Sequence, residues 1–180
     1  MKLQNTKLFG CYLISNEEMF DNRGSFTKLF NDNFFRGHGI DLSSKEQFIS
    51  VSKKFVLRGM HFQTPPYDQN KLVTCLKGRV LDVLLDLRIG SPTFGQNEAF
   101  ELNEKCIESI FVPTGLAHGF LSLEDNTTML YNTSTLYAPK SDNGIMWDSF
   151  DFDWPCKVPI ISKRDSNHPN YKDFLSPFKL

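Results

Sequence analysis

A chain of 180 residues suits one domain and is long enough to bury a core of its own. Lys and Arg number 20 against 21 Asp and Glu, a net charge of -1, so no bulk field draws the protein to nucleic acid or to a membrane surface. The opening MKLQNTKLFGCYLIS lacks the apolar stretch and small-residue cleavage site of a leader, and Cys11, Cys75, Cys106 and Cys156 form no CxxC pair. Reduced thiols in a cytoplasm are the expectation, and most of the 17 Phe are expected to fill a core.

In chain order, residues 27–36 (TKLFNDNFFR) give the first helix candidate, and LRGMHFQ (57–63) reads as a strand. KLVTCL (71–76) follows, then RVLDVLLDLR (79–88), where Leu81, Val83, Leu85 and Leu87 share one face and Asp82 and Asp86 the other. EAFEL (98–102) and SIFV (109–112) are further strands. TTMLYNTSTLY (127–137), rich in Thr and Tyr, places Met129, Tyr131, Thr133, Thr135 and Tyr137 on one parity. Lys77-Gly78, Gly90-Ser91-Pro92 and Pro113-Thr114-Gly115 mark turns between them. A short helix is expected after Ser162, and the proline-bearing stretch from Trp154 onward reads as irregular chain over the surface. Many short, regularly spaced strands imply an all-β sandwich or barrel, with a jelly roll as the leading form.

Polar residues within the strands need a reason. On a regular strand His61 and Gln63 face one way and Arg58 the other. A shared site for Arg58 and His61 requires the chain to bulge or twist sharply, which Gly59 makes easiest. Lys71 opens the next strand and returns near His61 if the two form a hairpin. His118 follows a Pro/Gly turn, and Tyr131 and Tyr137 share a strand face. Imidazole is a good base near neutral pH, tyrosine can give a proton, lysine stabilises an oxyanion and guanidinium grips phosphate.

DNRGSF (21–26), LRGMHFQ, KLVTCLKGRVLDVLLDLRIGSPTFG (71–95), FVPTGLAHGF (111–120) and the LY…LYAP segment (130–139) together resemble the dTDP-4-dehydrorhamnose 3,5-epimerase family, from about Asp21 to Asp165. The resemblance implies a cupin-type jelly roll acting on nucleotide-linked 4-keto sugars in cell-surface polysaccharide synthesis, as a homodimer with no metal and no redox cofactor. It implies that His61 is the base, Asp165 its carboxylate partner, Tyr131 the proton donor on the opposite sugar face and Lys71 the lysine near the 4-keto oxygen. Arg58 and His118 then line the substrate and diphosphate site with Gln63 and Tyr137, while Arg23 and Phe26 serve the nucleotide across a dimer interface.

Three segments depart from the family pattern. Glu46 and Phe48 stand where Gln and Asn are usual, Lys28 replaces an acidic residue, and a Glu expected after YxP is replaced at or near Asn143. These belong to substrate recognition, so a GDP-linked sugar or a heptose stands beside a dTDP-linked hexose. A metal-dependent cupin isomerase or dioxygenase is a different reading, but Gln63 occupies the second position of the HxH that such sites use. A non-catalytic sugar-binding cupin is the third, and the complete set of His61, Lys71, Tyr131 and Asp165 argues against it.

Overall fold

Thirteen short strands arise from these alternating segments, and the computed structural model, covering residues 1–180, sorts them into two antiparallel sheets and a separate hairpin. The six-stranded sheet runs in the order β1 (Lys2–Asn5), β2 (Tyr12–Ser15), β10 (Glu108–Val112), β7 (Lys71–Lys77), β12 (Thr127–Thr133) and β5 (Glu46–Ser52). The five-stranded sheet runs β13 (Asp142–Gly144), β6 (Leu57–Gln63), β11 (Leu116–Ser122), β8 (Arg79–Asp86) and β9 (Asn97–Asn103). The hairpin joins β3 (Glu18–Asp21) to β4 (Gly24–Thr27). The all-β jelly-roll expectation holds.

Three apolar clusters hold the layers together. Val73, Ile110 and Met129 of one sheet meet Val80, Leu84, Leu102 and Phe120 of the other in the space between them. Outside the five-stranded sheet, Leu57, Val83, Leu85 and Leu121 are covered by Trp147, Phe150, Trp154 and Phe178. Outside the six-stranded sheet, Leu72 and Phe111 pack under Phe35, Ile40 and Leu42. The tail after Trp154 is therefore irregular but structural, since it closes a face that a two-layer sandwich would leave bare.

Because β8 is covered on both faces, its alternation does not mark a solvated side. Asp82 and Asp86 are fully buried, which such a strand tolerates only with partners. Asp86 accepts hydrogen bonds from Arg88 Nη2 (2.7 Å), Ser91 Oγ (2.6 Å) and Thr93 Oγ1 (2.7 Å), and Arg88 donates onward to the Phe9 carbonyl (2.6 Å). The segment DLRIGSPT thus forms a polar clip that ties the end of β8 to the N-terminal turn.

Two local expectations change. The helix is limited to α1 (Asp32–Gly37), capped by the Asn31 side chain, because residues 24–27 are drawn into the hairpin. The helix after Ser162 is only a 3-10 turn, Asp165–Asn167. The Phe load is also divided. Phe35, Phe62, Phe111, Phe120, Phe150 and Phe178 are buried, whereas Phe9, Phe20, Phe26, Phe48, Phe55 and Phe94 are exposed.

Candidate active site

Between β6 and β11 the pairing slips. His61 lies opposite His118 and Arg58 opposite Phe120, so three steps on one strand match two on the other. This bulge forms at Gly59, whose φ is +143° and where a Cβ would lie 2.5 Å from Gly119 Cα. No residue with a side chain fits there. The extra residue turns Arg58 to the same side as His61, and both line one cavity of about 370 Å³.

Elements of both sheets build this cavity. β6 supplies Arg58, His61 and Gln63; β11 supplies His118 and Phe120. From the other sheet come Lys71, Tyr131 and Thr133, with Glu46, Phe48 and Ser50 on the edge strand β5. Tyr137, Asp142 and Arg164 close the remaining side.

His61 Nε2 stands 2.9 Å from Asp165 Oδ1, and the Gly59 N–H donates to Oδ2 at 3.2 Å. Burial opposes ionisation of Asp165, but its bonds with His61, Ser162 and the Gly59 amide outweigh that and hold it far below the usual carboxylate range. When Nε2 donates to the ionised Asp165, which requires the Arg164 guanidinium to move off that nitrogen, Nδ1, free of protein partners, presents the lone pair. Burial lowers the His61 pKa below its ordinary 6.5, only partly offset by Asp165, so the ring is neutral near pH 7.

Lys71 does reach His61, but not through a hairpin. Residues 64–70 cross from one sheet to the other, and Lys71 Nζ then donates to the His61 carbonyl at 3.2 Å. Burial pushes its ammonium down to about 8. Tyr131 faces the cavity from β12, with its ring stacked on Phe48 at 4.8 Å and its hydroxyl 3.4 Å from Ser50 Oγ. Burial raises its pKa, which keeps the phenol protonated.

The remaining expected residues divide. His118 is buried and bonded to Asp82 at 2.8 Å. Gln63 lines the cavity, yet its amide is engaged with the backbone of Tyr67, Leu136 and Ala138, which fixes two loops at the rim. Tyr137 lies beyond the end of β12, on a half-open loop held by its N–H to Glu46 (2.8 Å) and its hydroxyl to Asp142 (3.2 Å). Arg23 and Phe26 sit on the exposed hairpin and do not reach this cavity within one chain.

Three contributors were not legible as site residues. Asp82 reads as one polar side of an alternating strand. Asp142, one residue before Asn143, supplies the carboxylate at the corner where a Glu is usual. Arg164 bonds Asp142 and lies 2.7 Å from His61 Nε2; its adjacency to Asp165 was the available signal. Phe48, expected in substrate recognition, also stacks on Tyr131.

Comparison with known proteins places this geometry. The sequence profile of the family described as dTDP-4-dehydrorhamnose 3,5-epimerase matches residues 5–173. The enzyme of that name from Mycolicibacterium smegmatis is 39% identical over 175 residues, covering 94% of this chain and 86% of the relative. The RmlC epimerase structure from Mycobacterium tuberculosis superposes with a TM-score of 0.92 at 38% identity, over 96% of this chain and 90% of the other. The Legionella pneumophila dTDP-6-deoxy-D-glucose-3,5-epimerase, solved with dTDP-4-keto-L-rhamnose, gives 0.89 at 32% identity, over 94% and 92%. The chain belongs to the dTDP-4-dehydrorhamnose 3,5-epimerase family and is an isomerase.

Proposed function

We propose that this protein inverts carbon 3, carbon 5 or both in a nucleotide-linked 4-keto-6-deoxy sugar, by proton removal, enolate formation and reprotonation from the opposite face. The observation that carries the proposal is the placement of a neutral His61, bonded to the ionised Asp165, on one sheet and a protonated Tyr131 on the other, across one cavity. A ketone at carbon 4 acidifies the hydrogens on both neighbouring carbons, because the carbanion delocalises onto oxygen. His61 takes the proton, Asp165 orients the ring and stabilises the imidazolium, and Lys71 meets the enolate oxygen. Tyr131 then delivers a proton from the other side. The balance is one proton removed and one returned, so no oxidant or metal ion is required.

The relatives are named for dTDP-linked 4-keto hexoses, which favours that substrate. Glu46 and Phe48 line the cavity where the family pattern has an amide, and this keeps a GDP-linked sugar or a heptose in the test. Incubation with each nucleotide sugar in deuterated water, read by NMR at every ring carbon, decides both points. Deuterium at carbon 3 or carbon 5 with an inverted centre is the expected result. No exchange with any 4-keto sugar overturns the proposal.

The exposed hairpin supports a homodimer in which Arg23 and Phe26 complete the neighbour's site. Phe20 and Phe26 stand 75% and 57% exposed there, and the edge strand β5 shows Ile49 and Val51 to solvent at 59% and 54%.

A further inference from the structure

Beside the base lies a second imidazole that this chemistry does not use. His168 follows the 3-10 turn Asp165–Asn167, and its ring meets that of His61 edge to face, with centroids 5.7 Å apart. Its Nε2 is buried and has no hydrogen-bond partner. The ring is wedged against Gly144, where a Cβ would come within 2.5 Å of Nε2, so packing rather than polar contact holds it.

Asp165 Oδ1 therefore lies between two imidazoles, 2.9 Å from His61 Nε2 and 3.8 Å from His168 Nε2. One donor atom from each of the three residues lies within 4.8 Å of the other two. Adjacent ligands of a tetrahedral zinc ion, with bonds of about 2.0–2.1 Å, are roughly 3.3 Å apart. The two measured separations fall on either side of that value. Two imidazoles and a carboxylate suit borderline divalent cations, whereas Mg²⁺ and Ca²⁺ demand oxygen ligands. The cation now at this place is Arg164, whose side chain is 49% exposed and can swing into solvent.

We propose that His61, Asp165 and His168 bind Zn²⁺, Ni²⁺ or Co²⁺ in place of the Arg164 guanidinium, and that the bound ion inhibits the enzyme. An ion on His61 Nε2 leaves the ring proton on Nδ1, so the ring has no lone pair for a substrate C–H. The inhibitory half rests on His61 being the base of the proposed function; the binding half does not.

The test is titration of the full chain, stripped with chelator, by Co²⁺ alone. Saturable visible absorption at one equivalent, abolished by competing Zn²⁺, is expected. His168→Phe keeps the ring's bulk without its nitrogens and should weaken Co²⁺ binding at least about tenfold, with metal-free solvent exchange within about twofold of the parent. Arg164→Gln removes the competing cation and should shift binding the other way, towards higher affinity. Absence of a saturable signal, or parental affinity in His168→Phe, overturns the site. Full exchange activity in Co²⁺-saturated protein overturns the inhibition. The Co²⁺ spectrum is read without substrate, so it decides the site even if the metal-free parent shows no exchange.

Discussion

His61 and His118 stand opposite each other across β6 and β11, and each holds a carboxylate of its own, Asp165 at 2.9 Å and Asp82 at 2.8 Å. The two pairs differ in access. The His118 and Asp82 side chains are 5% and 0% exposed, whereas His61 keeps 23% of its surface open. Asp165 also receives the Gly59 amide, while Asp82 Oδ1 has no partner. One imidazole is thus poised for proton transfer and the other is fixed in the wall.

That difference predicts the effect of His61→Asn. Solvent exchange at the sugar carbons should fall by roughly 10²–10⁴-fold, while circular dichroism and nucleotide affinity stay near the parent. Exchange by NMR in deuterated water is the measurement. Residual exchange within about tenfold of the parent would remove His61 from the role of sole base.

Tyr131→Phe should separate proton removal from inversion. Abstraction by His61 remains, so substrate should return labelled with deuterium but not inverted, and inverted product should drop by roughly 10²–10⁴-fold. Inversion at the parental rate at every carbon would make Tyr131 a packing residue against Phe48.

The pH profile should have two limbs with different owners. Burial lowers the His61 pKa from 6.5, so kcat/KM should hold at neutral pH and fall only as acid protonates the ring below that value. Lys71, pushed down to about 8, loses its charge as pH rises through that value, and activity should fall with it. In Lys71→Arg the cation persists, so the alkaline limb should move to higher pH even if the maximum rate is lower. An unmoved limb would assign it to another group.

Light scattering should report a homodimer. If Arg23 and Phe26 serve the neighbour's nucleotide as proposed, Arg23→Ala and Phe26→Ala should raise KM with little change in kcat. A monomer with full activity would refute the shared site.

Chelator treatment should leave the rate unchanged, since Lys71 supplies the charge that meets the enolate. Activity lost in EDTA and restored by one divalent ion would transfer the chemistry to a metal.

Much of the fold was legible because strand alternation and turn residues agree along the chain. RVLDVLLDLR and TTMLYNTSTLY emerge as β8 and β12, although β12 stops at Thr133 and leaves Tyr137 on a loop. The use of Gly59 was legible too, because a bulge or sharp twist there turns Arg58 beside His61, and the structure uses the bulge. What failed was partnership between distant segments. Local pattern makes β8 look half-solvated, and only the packing of Trp147 and Trp154 reveals that both its faces are covered. In the same way, neither Asp82 nor Arg164 can be paired with a histidine until the sheets are laid against each other.

His61 and Tyr131 belong to opposite walls of the sandwich, and on their proposed roles this gives the interior an unexpected duty. Sheets stacked face to face stand roughly 10 Å apart, a spacing set by the side chains between them. Phe120, buried between the layers and touching the cavity, is one of those spacers. Its volume acts as a caliper on the gap that a sugar ring must fill to meet a proton acceptor on one side and a donor on the other. Stereochemical outcome would then drift with core volume as well as with the polar groups. A shorter side chain at Phe120 should change which carbon is inverted before it changes whether any carbon exchanges.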